Sequence, residues 1–165
     1  MSFYIFNNFL EKDFYKQISE DIKSENIPWY LRNSKGVAGK TYFTFCYYNN
    51  NQPQHDLYYK HIQPLLDKLK VLSLIQVRSN LTFKNNESIE SAYHTDYNSS
   101  KTITGIFFLT TCNAKNVLKI NGEEIIIDNF ENKMLLFPTN IEHKVIYQTD
   151  VDQRYIINFN FLQEG

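Results

Sequence analysis

The chain has only four histidines in 165 residues, and one lies in Tyr93-His94-Thr95-Asp96, directly after a predicted strand. Side chains on an extended segment alternate with period two, so the His94 imidazole and the Asp96 carboxylate leave the same face and converge. A second histidine, His143, opens the run HKVIYQ after the turn around Pro138 to Asn140, where it can meet that pair across the mouth of a barrel. Two neutral imidazoles and one carboxylate make the facial triad of oxygen-activating iron(II), with positions left open for a co-substrate and oxygen. Eleven residues after His143, Arg154 opens the terminal run RYIINFNF. A guanidinium meets a carboxylate through a planar two-pronged fork, which suits it to the distal end of a dicarboxylic co-substrate. Singly, each of these residues is more often a surface charge or a satisfied core group. In this order they form a four-part site, with His94, Asp96 and His143 as metal ligands and catalytic centre and Arg154 as the co-substrate clamp.

The elements that must position these groups divide near Val71. In residues 1–70, Leu10, Phe14, Ile18 and Ile22 recur every four residues, with Asn8 and Glu11 as a helix-start signal, and Tyr58, Ile62, Leu65, Leu66 and Leu69 predict a second helix kinked or divided at Pro64. From Val71 to the end the texture is short β-branched and aromatic runs: LIQVRSNLTF, KTITGIFFLTT, NVLKIN, EEIIID, KMLLFP, HKVIYQ and RYIINFNF. Turn residues separate them, among them Asn121-Gly122, a strong hairpin signal. Helices followed by strands predict one α+β domain over residues 1–165, a helical support region (1–70) on a β-sandwich or open barrel (71–165). Alternation from Arg154 places Ile156 and Asn158 on one face, so Asn158 is a candidate for the co-substrate pocket. Trp29, Tyr30, Arg78 and Tyr97 are candidates for a substrate-facing rim, Trp29 having core filler as its plainer reading. The glycine-bearing loop Ser34 to Lys40 and the segment Asn85 to Ser91 are candidate lids.

With those residues in view, the chain resembles the prolyl-4-hydroxylase-like branch of the 2-oxoglutarate/Fe(II) oxygenases, and especially the short oxygenases of marine bacteriophages. The resemblance rests on HTDY at 94–97, ITGIFFL at 103–109, NVLKI at 116–120, MLLFP at 134–138, EHKV at 142–145 and RYIINF at 154–159, with FLEKDFYKQI and IPWYL near the start. It implies a double-stranded β-helix, a jelly-roll or cupin-like core with the N-terminal helices packed on one sheet. It implies iron(II) on His94, Asp96 and His143, the 2-oxoglutarate C5 carboxylate on Arg154, dioxygen as oxidant and ascorbate as an accessory reductant. The implied activity is prolyl 4-hydroxylation of a proline-containing peptide or protein, with release of succinate and CO2. Two positions depart from the pattern: Phe108 stands where such enzymes place a clamp tyrosine, and Thr82 stands where the phage relatives read N-L-Y. Thr104 and Thr82 are therefore the hydroxyls left to assist Arg154. Arg78-Ser79-Asn80-Leu81-Thr82-Phe83-Lys84 looks like the R-x-N-x-T-x-R signature of nucleic-acid demethylases, but it precedes His94 and ends in lysine.

Composition narrows the classes further. Seventeen basic against 18 acidic residues, with a pI near 6.4, provide no electrostatic footprint for a phosphate backbone, so nucleic acid is not an expected partner. Cys46 and Cys112 are too few for a disulfide framework and point to a reducing compartment. No apolar run approaches the roughly 18 residues of a membrane span, and the start lacks a leader pattern, so a cytoplasmic location is expected, the host cytoplasm if the protein is viral. The N-x-S/T triplets at Asn80, Asn86 and Asn98 are discounted with it. Two rival readings stay open on the residues alone: a non-catalytic jelly-roll binding module with a structural metal, and a cupin-like metal enzyme that needs no 2-oxoglutarate.

Overall fold

Strict alternation of large apolar residues with smaller or polar ones builds strands that can bury one face or two, and most of this chain is written that way. The computed structural model describes residues 2–33 and 41–163. Strand β1 (Tyr4–Phe6) and helix α1 (Lys12–Lys23) are followed by β2 (Tyr30–Asn33), β3 (Thr41–Asn49) and β4 (Gln52–Pro53). A π-helical turn over Tyr58–Ile62 then leads into α2 (Gln63–Leu69). Seven strands complete the chain: β5 (Val71–Phe83), β6 (Thr102–Phe108), β7 (Cys112–Ile120), β8 (Glu123–Asn129), β9 (Lys133–Pro138), β10 (Glu142–Ile146) and β11 (Gln153–Gln163).

The large sheet has the order β1-β9-β6-β11-β5-β3-β2, with β4 on β3; the small sheet has the order β10-β7-β8. Isolated antiparallel bridges from Glu90 to Ile146 and from His94 to His143 lay residues 90–94 along β10 as a fourth ribbon of the small sheet. From β5 onward the chain therefore passes repeatedly between the two sheets. That winding is a double-stranded β-helix, and the fold expected above is the one observed.

Two cores flank the large sheet. Between the sheets lie Ile106, Phe108, Leu118, Ile127, Leu135, Phe137, Ile141 and Ile156. On the other face, Phe107, Ile157, Phe159 and Phe161 pack against Ile18, Ile22, Ile62 and Leu65 of the helical layer. Neighbours such as Phe107 and Phe108 thus enter different cores, as a period of two requires.

The helices fall close to their predicted places. α1 buries Ile18 and Ile22 but begins at Lys12, with Glu11 as its N-cap and no capping side-chain bond; Asn8 has a positive φ of 49° and lies outside the helix. Pro64 sits in the first turn of α2, where its missing N–H costs no hydrogen bond, and the π turn ends just before it. Asn121 and Gly122 both take positive φ, 54° and 84°, as a tight hairpin between β7 and β8 demands. Residues 1–70 are less helical than expected, since β1 to β4 also lie there. β3, TYFTFCYYN, joins the large sheet because Phe43, Phe45 and Tyr47 alternate onto the helix-side core. No described helix is long and apolar enough to cross a membrane.

Beneath α1 runs a chain of buried polar groups. Ser79 Oγ donates to the Tyr47 hydroxyl at 3.4 Å, Tyr47 lies 3.3 Å from His61 Nδ1, and His61 Nε2 lies 3.3 Å from Asp21 Oδ2. Asp21 can only accept, so Nε2 carries the proton and Nδ1 accepts from Tyr47. Burial pushes the His61 pKa below its ordinary 6.5, against the pull of Asp21. The unfolded chain therefore takes up a proton first on acidification, and the stability held above about pH 6.5 declines as pH falls toward the folded-state pKa. Thermal unfolding should show a Tm that drops between pH 7 and 5.5. His61→Gln should cost about 1–3 kcal/mol of stability at pH 7 for a broken buried bond network, lowering Tm there, and should flatten that pH dependence; an equally steep slope in the variant would assign the effect elsewhere.

Candidate metal centre

His94 and His143 are brought together by backbone pairing. The His94 N–H donates to the His143 carbonyl at 3.0 Å and the His143 N–H donates back at 2.9 Å. Directly opposed residues of an antiparallel pair project their side chains from one face, and here the ring centroids are 4.3 Å apart. Asp96 lies two residues beyond His94, its N–H tied to the Thr139 carbonyl at 3.1 Å. One ligand atom from each of the three lies within 4.8 Å of the others, and His143 Nε2 is 3.8 Å from Asp96 Oδ1. His143 is buried, Asp96 half-buried and His94 exposed, so the cluster opens to solvent on the His94 side.

Both imidazoles are oriented for coordination. His143 Nδ1 lies 3.0 Å from the Ile141 carbonyl and His94 Nδ1 lies 3.4 Å from the Ala92 carbonyl. A carbonyl only accepts, so Nδ1 holds the proton and Nε2 presents its lone pair, the usual outer support of a metal-binding histidine. Burial pushes the His143 pKa down despite the nearby Asp96 carboxylate, which keeps the ring neutral and able to bind. Burial works to raise the Asp96 pKa, but His143, Thr104, Asn160 and His94 together outweigh it and hold the carboxyl below the ordinary carboxylate range.

The Asp96 carboxylate is held by one oxygen. Thr104 Oγ1 donates to Oδ2 at 2.6 Å and Asn160 Nδ2 donates to the same oxygen at 2.9 Å. Thr104 on β6 and Asn160 on β11 are register partners, and their own side chains meet at 3.2 Å. With Oδ2 occupied, Oδ1 is the oxygen turned toward His143. Thr104, expected beside the co-substrate, is thus placed on the Asp96 carboxylate. Asn160 was not singled out from the sequence, although the alternation that reached Asn158 passes through it two residues later.

Arg154, at the start of β11, is 3% exposed, opposite Thr82 in register. Its Nη2 donates to Asn116 Oδ1 at 3.0 Å. Asn129, its amide turned with the oxygen toward the guanidinium, accepts from Nη2 at 3.1 Å and also from Nε, and donates to Asn116 at 3.2 Å. Burial pushes the Arg154 pKa below its ordinary value, with Cys112 and Tyr147 opposing that shift. Among the described residues no carboxylate forms an ion pair with it. A buried cation without a carboxylate partner among the described residues still has its charge to neutralise, and an incoming carboxylate meets that need.

Between Arg154 and Asn160, the inward face of β11 carries Ile156 and Asn158. Asn80 and Arg78 flank them on β5, Phe108 and Ile106 on β6. Phe108 is fully buried and makes this wall apolar. The Oδ1 atoms of Asn80 and Asn158 are buried without a hydrogen-bond partner. Thr82 is engaged by Gln148, its hydroxyl lying 3.2 Å from Oε1 and its carbonyl accepting from Nε2 at 2.9 Å. Asn116, Asn129 and Gln148 carried no sequence signal, because they lie on other strands or loops and meet the site only through the fold.

The rim candidates separate. Trp29 packs on Tyr155, ring centroids 5.9 Å apart, within the helix-side layer. Tyr30 and Tyr97 are 61% and 39% exposed. The loop Ser34 to Lys40 lies outside the described residues. The segment Asn85 to Ser91 is pinned, with the Asn85 N–H on the Gln148 carbonyl at 3.1 Å, the Ser91 N–H on the Val145 carbonyl at 2.9 Å and Glu90 paired with Lys144 at 2.8 Å.

No protein-family model and no curated protein matches the sequence. Solved structures do match in shape. An oxidoreductase of the 2OG-Fe(II) oxygenase family from Burkholderia pseudomallei superposes with a TM-score of 0.74 at 13% identity, covering 99% of this chain and 86% of its own. The chain has the fold of that oxygenase. A Trichoplax adhaerens prolyl hydroxylase, solved with a peptide fragment of the hypoxia inducible factor oxygen degradation domain, gives 0.69 at 14% identity, covering 98% and 83%. The non-haem alpha ketoglutarate dependent epimerase SnoN from nogalamycin biosynthesis gives 0.70 at 10% identity, covering 98% and 78%.

The bonds to Asp96 predict that Thr104→Val lowers divalent metal affinity by about 10- to 100-fold, as loss of outer support usually does, while Thr104→Ser retains it. Calorimetric titration with Mn(II) checks this, and unchanged affinity in Thr104→Val would remove Thr104 from the metal's support.

Proposed function

We propose that the protein is an iron(II)- and 2-oxoglutarate-dependent dioxygenase that hydroxylates a C–H bond, with C4 of a prolyl residue in a peptide or protein as the target. The observation that carries this reading is the pairing of two groups inside one barrel. A His-Asp-His cluster opens toward solvent, and a buried arginine without an acidic partner lies on the inward face of the strand whose Asn160 holds Asp96.

The residues present fit the absent groups. Two neutral imidazoles and one ionised carboxylate suit iron(II) and leave coordination positions open. Arg154 suits the remote carboxylate of 2-oxoglutarate, and the apolar wall of Phe108, Ile106 and Ile156 suits its methylene carbons. When bound, iron and 2-oxoglutarate supply the oxidising chemistry: oxidative decarboxylation to succinate and CO2 is coupled to reduction of O2, with one oxygen atom going into the C–H bond.

The protein's own part is placement and exclusion. Thr104 and Asn160 fix Asp96 so that a single oxygen faces the metal position. The Ile141 and Ala92 carbonyls fix the imidazole tautomers. Asn116 and Asn129 hold the Arg154 fork in place, so little side-chain freedom is lost when a carboxylate arrives. Phe108 contributes no hydroxyl, so Arg154 carries the clamp with no tyrosine at that position. The cluster's open side favours a catalytic over a structural metal, because a structural site normally closes around four protein ligands. The two free cysteines fit a reducing, cytoplasmic setting.

Anaerobic titration of the iron(II)-loaded protein with 2-oxoglutarate should develop the visible charge-transfer band of a chelated 2-oxo acid. Arg154→Met, close in length, should raise the 2-oxoglutarate requirement at least tenfold while metal binding stays within twofold. Iron binding without a band in the wild type would refute the co-substrate assignment, and an unchanged requirement in Arg154→Met would refute the clamp.

A further inference from the structure

The metal-side face of the large sheet continues past the barrel. β5 pairs with β3 and β3 with β2, and all four residues of β2 are exposed. Phe43 and Phe45 pack toward the helices, so Tyr42, Thr44 and Cys46 face the metal side. Register carries that face across the strands. Cys46 stands opposite Arg78, which stands opposite Asn158; Thr44 stands opposite Asn80; Arg32 stands opposite Tyr42.

This face holds two arginines, Arg78 and Arg32. None of the hydrogen bonds or ion pairs among the described residues engages either guanidinium. Both lie close enough to Cys46 to favour its thiolate, though burial prevails and raises the thiol pKa. Beside Arg78 lie Asn80 and Asn158, whose side-chain oxygens are buried acceptors without donors. The face therefore offers two cations a short way from Asp96, with the two unanswered acceptors buried in the sheet beneath them. Asn158 precedes Asn160 by two residues, about 7 Å of strand, and β5 lies about 5 Å to the side. Arg78 thus starts within about 9 Å of the residue that holds the metal carboxylate, two or three residues of an extended peptide.

We infer that this face binds an acidic stretch of the substrate peptide. A side-chain carboxylate near the target residue pairs with Arg78, and a second reaches Arg32. This deepens the oxygenase reading and rests on it for the reacting residue. A nucleic acid fits less well: its repeating phosphates call for a run of cations, and two arginines on a chain of net charge −1 answer few of them.

The test uses the full chain loaded with Mn(II) and 2-oxoglutarate, without oxygen. Fluorescence anisotropy follows a labelled nine-residue peptide with a central proline and glutamates two and three residues to either side, against the same peptide with glutamines. The glutamate peptide should bind at least tenfold tighter and weaken with salt. Arg78→Gln with Arg32→Gln should abolish that preference, and Arg78→Glu should reverse it toward a lysine peptide. Equal binding of the glutamine peptide, no binding of the glutamate peptide, a preference unchanged in the double variant, or displacement of the peptide by single-stranded RNA of equal length would each overturn the inference. Binding of 2-oxoglutarate, measured separately, should survive the double variant. If the wild type binds no 2-oxoglutarate, the oxygenase reading fails, while the peptide preference is still read on the Mn(II) form.

Discussion

Strand β11 has one face in each of two cores, and the rest of the site depends on that constraint. Tyr155, Ile157, Phe159 and Phe161 point to the helices, while Arg154, Ile156, Asn158 and Asn160 point between the sheets. A slip of one residue would exchange the two sets, driving a guanidinium and two amides into the helix-side core and four large apolar groups into the site. β11 also lies between β5 and β6, so its register sets those of both neighbours. The hydrophobic demand of the helical layer thereby aims the polar residues on the opposite face.

The interior that results keeps its charges apart and treats them differently. Asp96 meets two donors on one oxygen and two imidazoles, which keep it ionised although it is largely withdrawn from water. Arg154 donates to amide oxygens through Nη2 and Nε, which engage those N–H groups without neutralising its charge. Between them stand apolar side chains and amides with open acceptors. An interior of this kind gains from admitting a ligand: a metal answers the triad, and a carboxylate answers the arginine.

The separation of supports also explains how the protein manages with Phe108. A tyrosine there would have brought a hydroxyl into the barrel. Here the phenyl ring fills the barrel, and the polar work falls on Asn116 and Asn129 of the small sheet. Thr82 is likewise withdrawn by Gln148. The Arg154 guanidinium is held from across the barrel rather than from along the strands that precede it.

Much of this was legible in the residues themselves. His-x-Asp on an extended segment, a later histidine and an arginine opening the last apolar run are local patterns whose meaning follows from side-chain alternation. Asn160 was legible too, by continuing that alternation two residues further, and so was β3, whose Tyr42 to Cys46 stretch alternates as plainly as any strand after Val71. Asn116, Asn129 and Gln148 were not legible, because nothing local marks an amide that will face an arginine 25 or 38 positions away or a threonine 66 positions away. The sequence by itself determined which chemistry is on offer and which face of each strand carries it, since both depend on residue type and a period of two. Only the tertiary structure decided which oxygen of Asp96 is free, what holds Arg154 and which arginines stand without a hydrogen bond or ion pair among the described residues, since these depend on contacts between strands whose pairing no local pattern encodes.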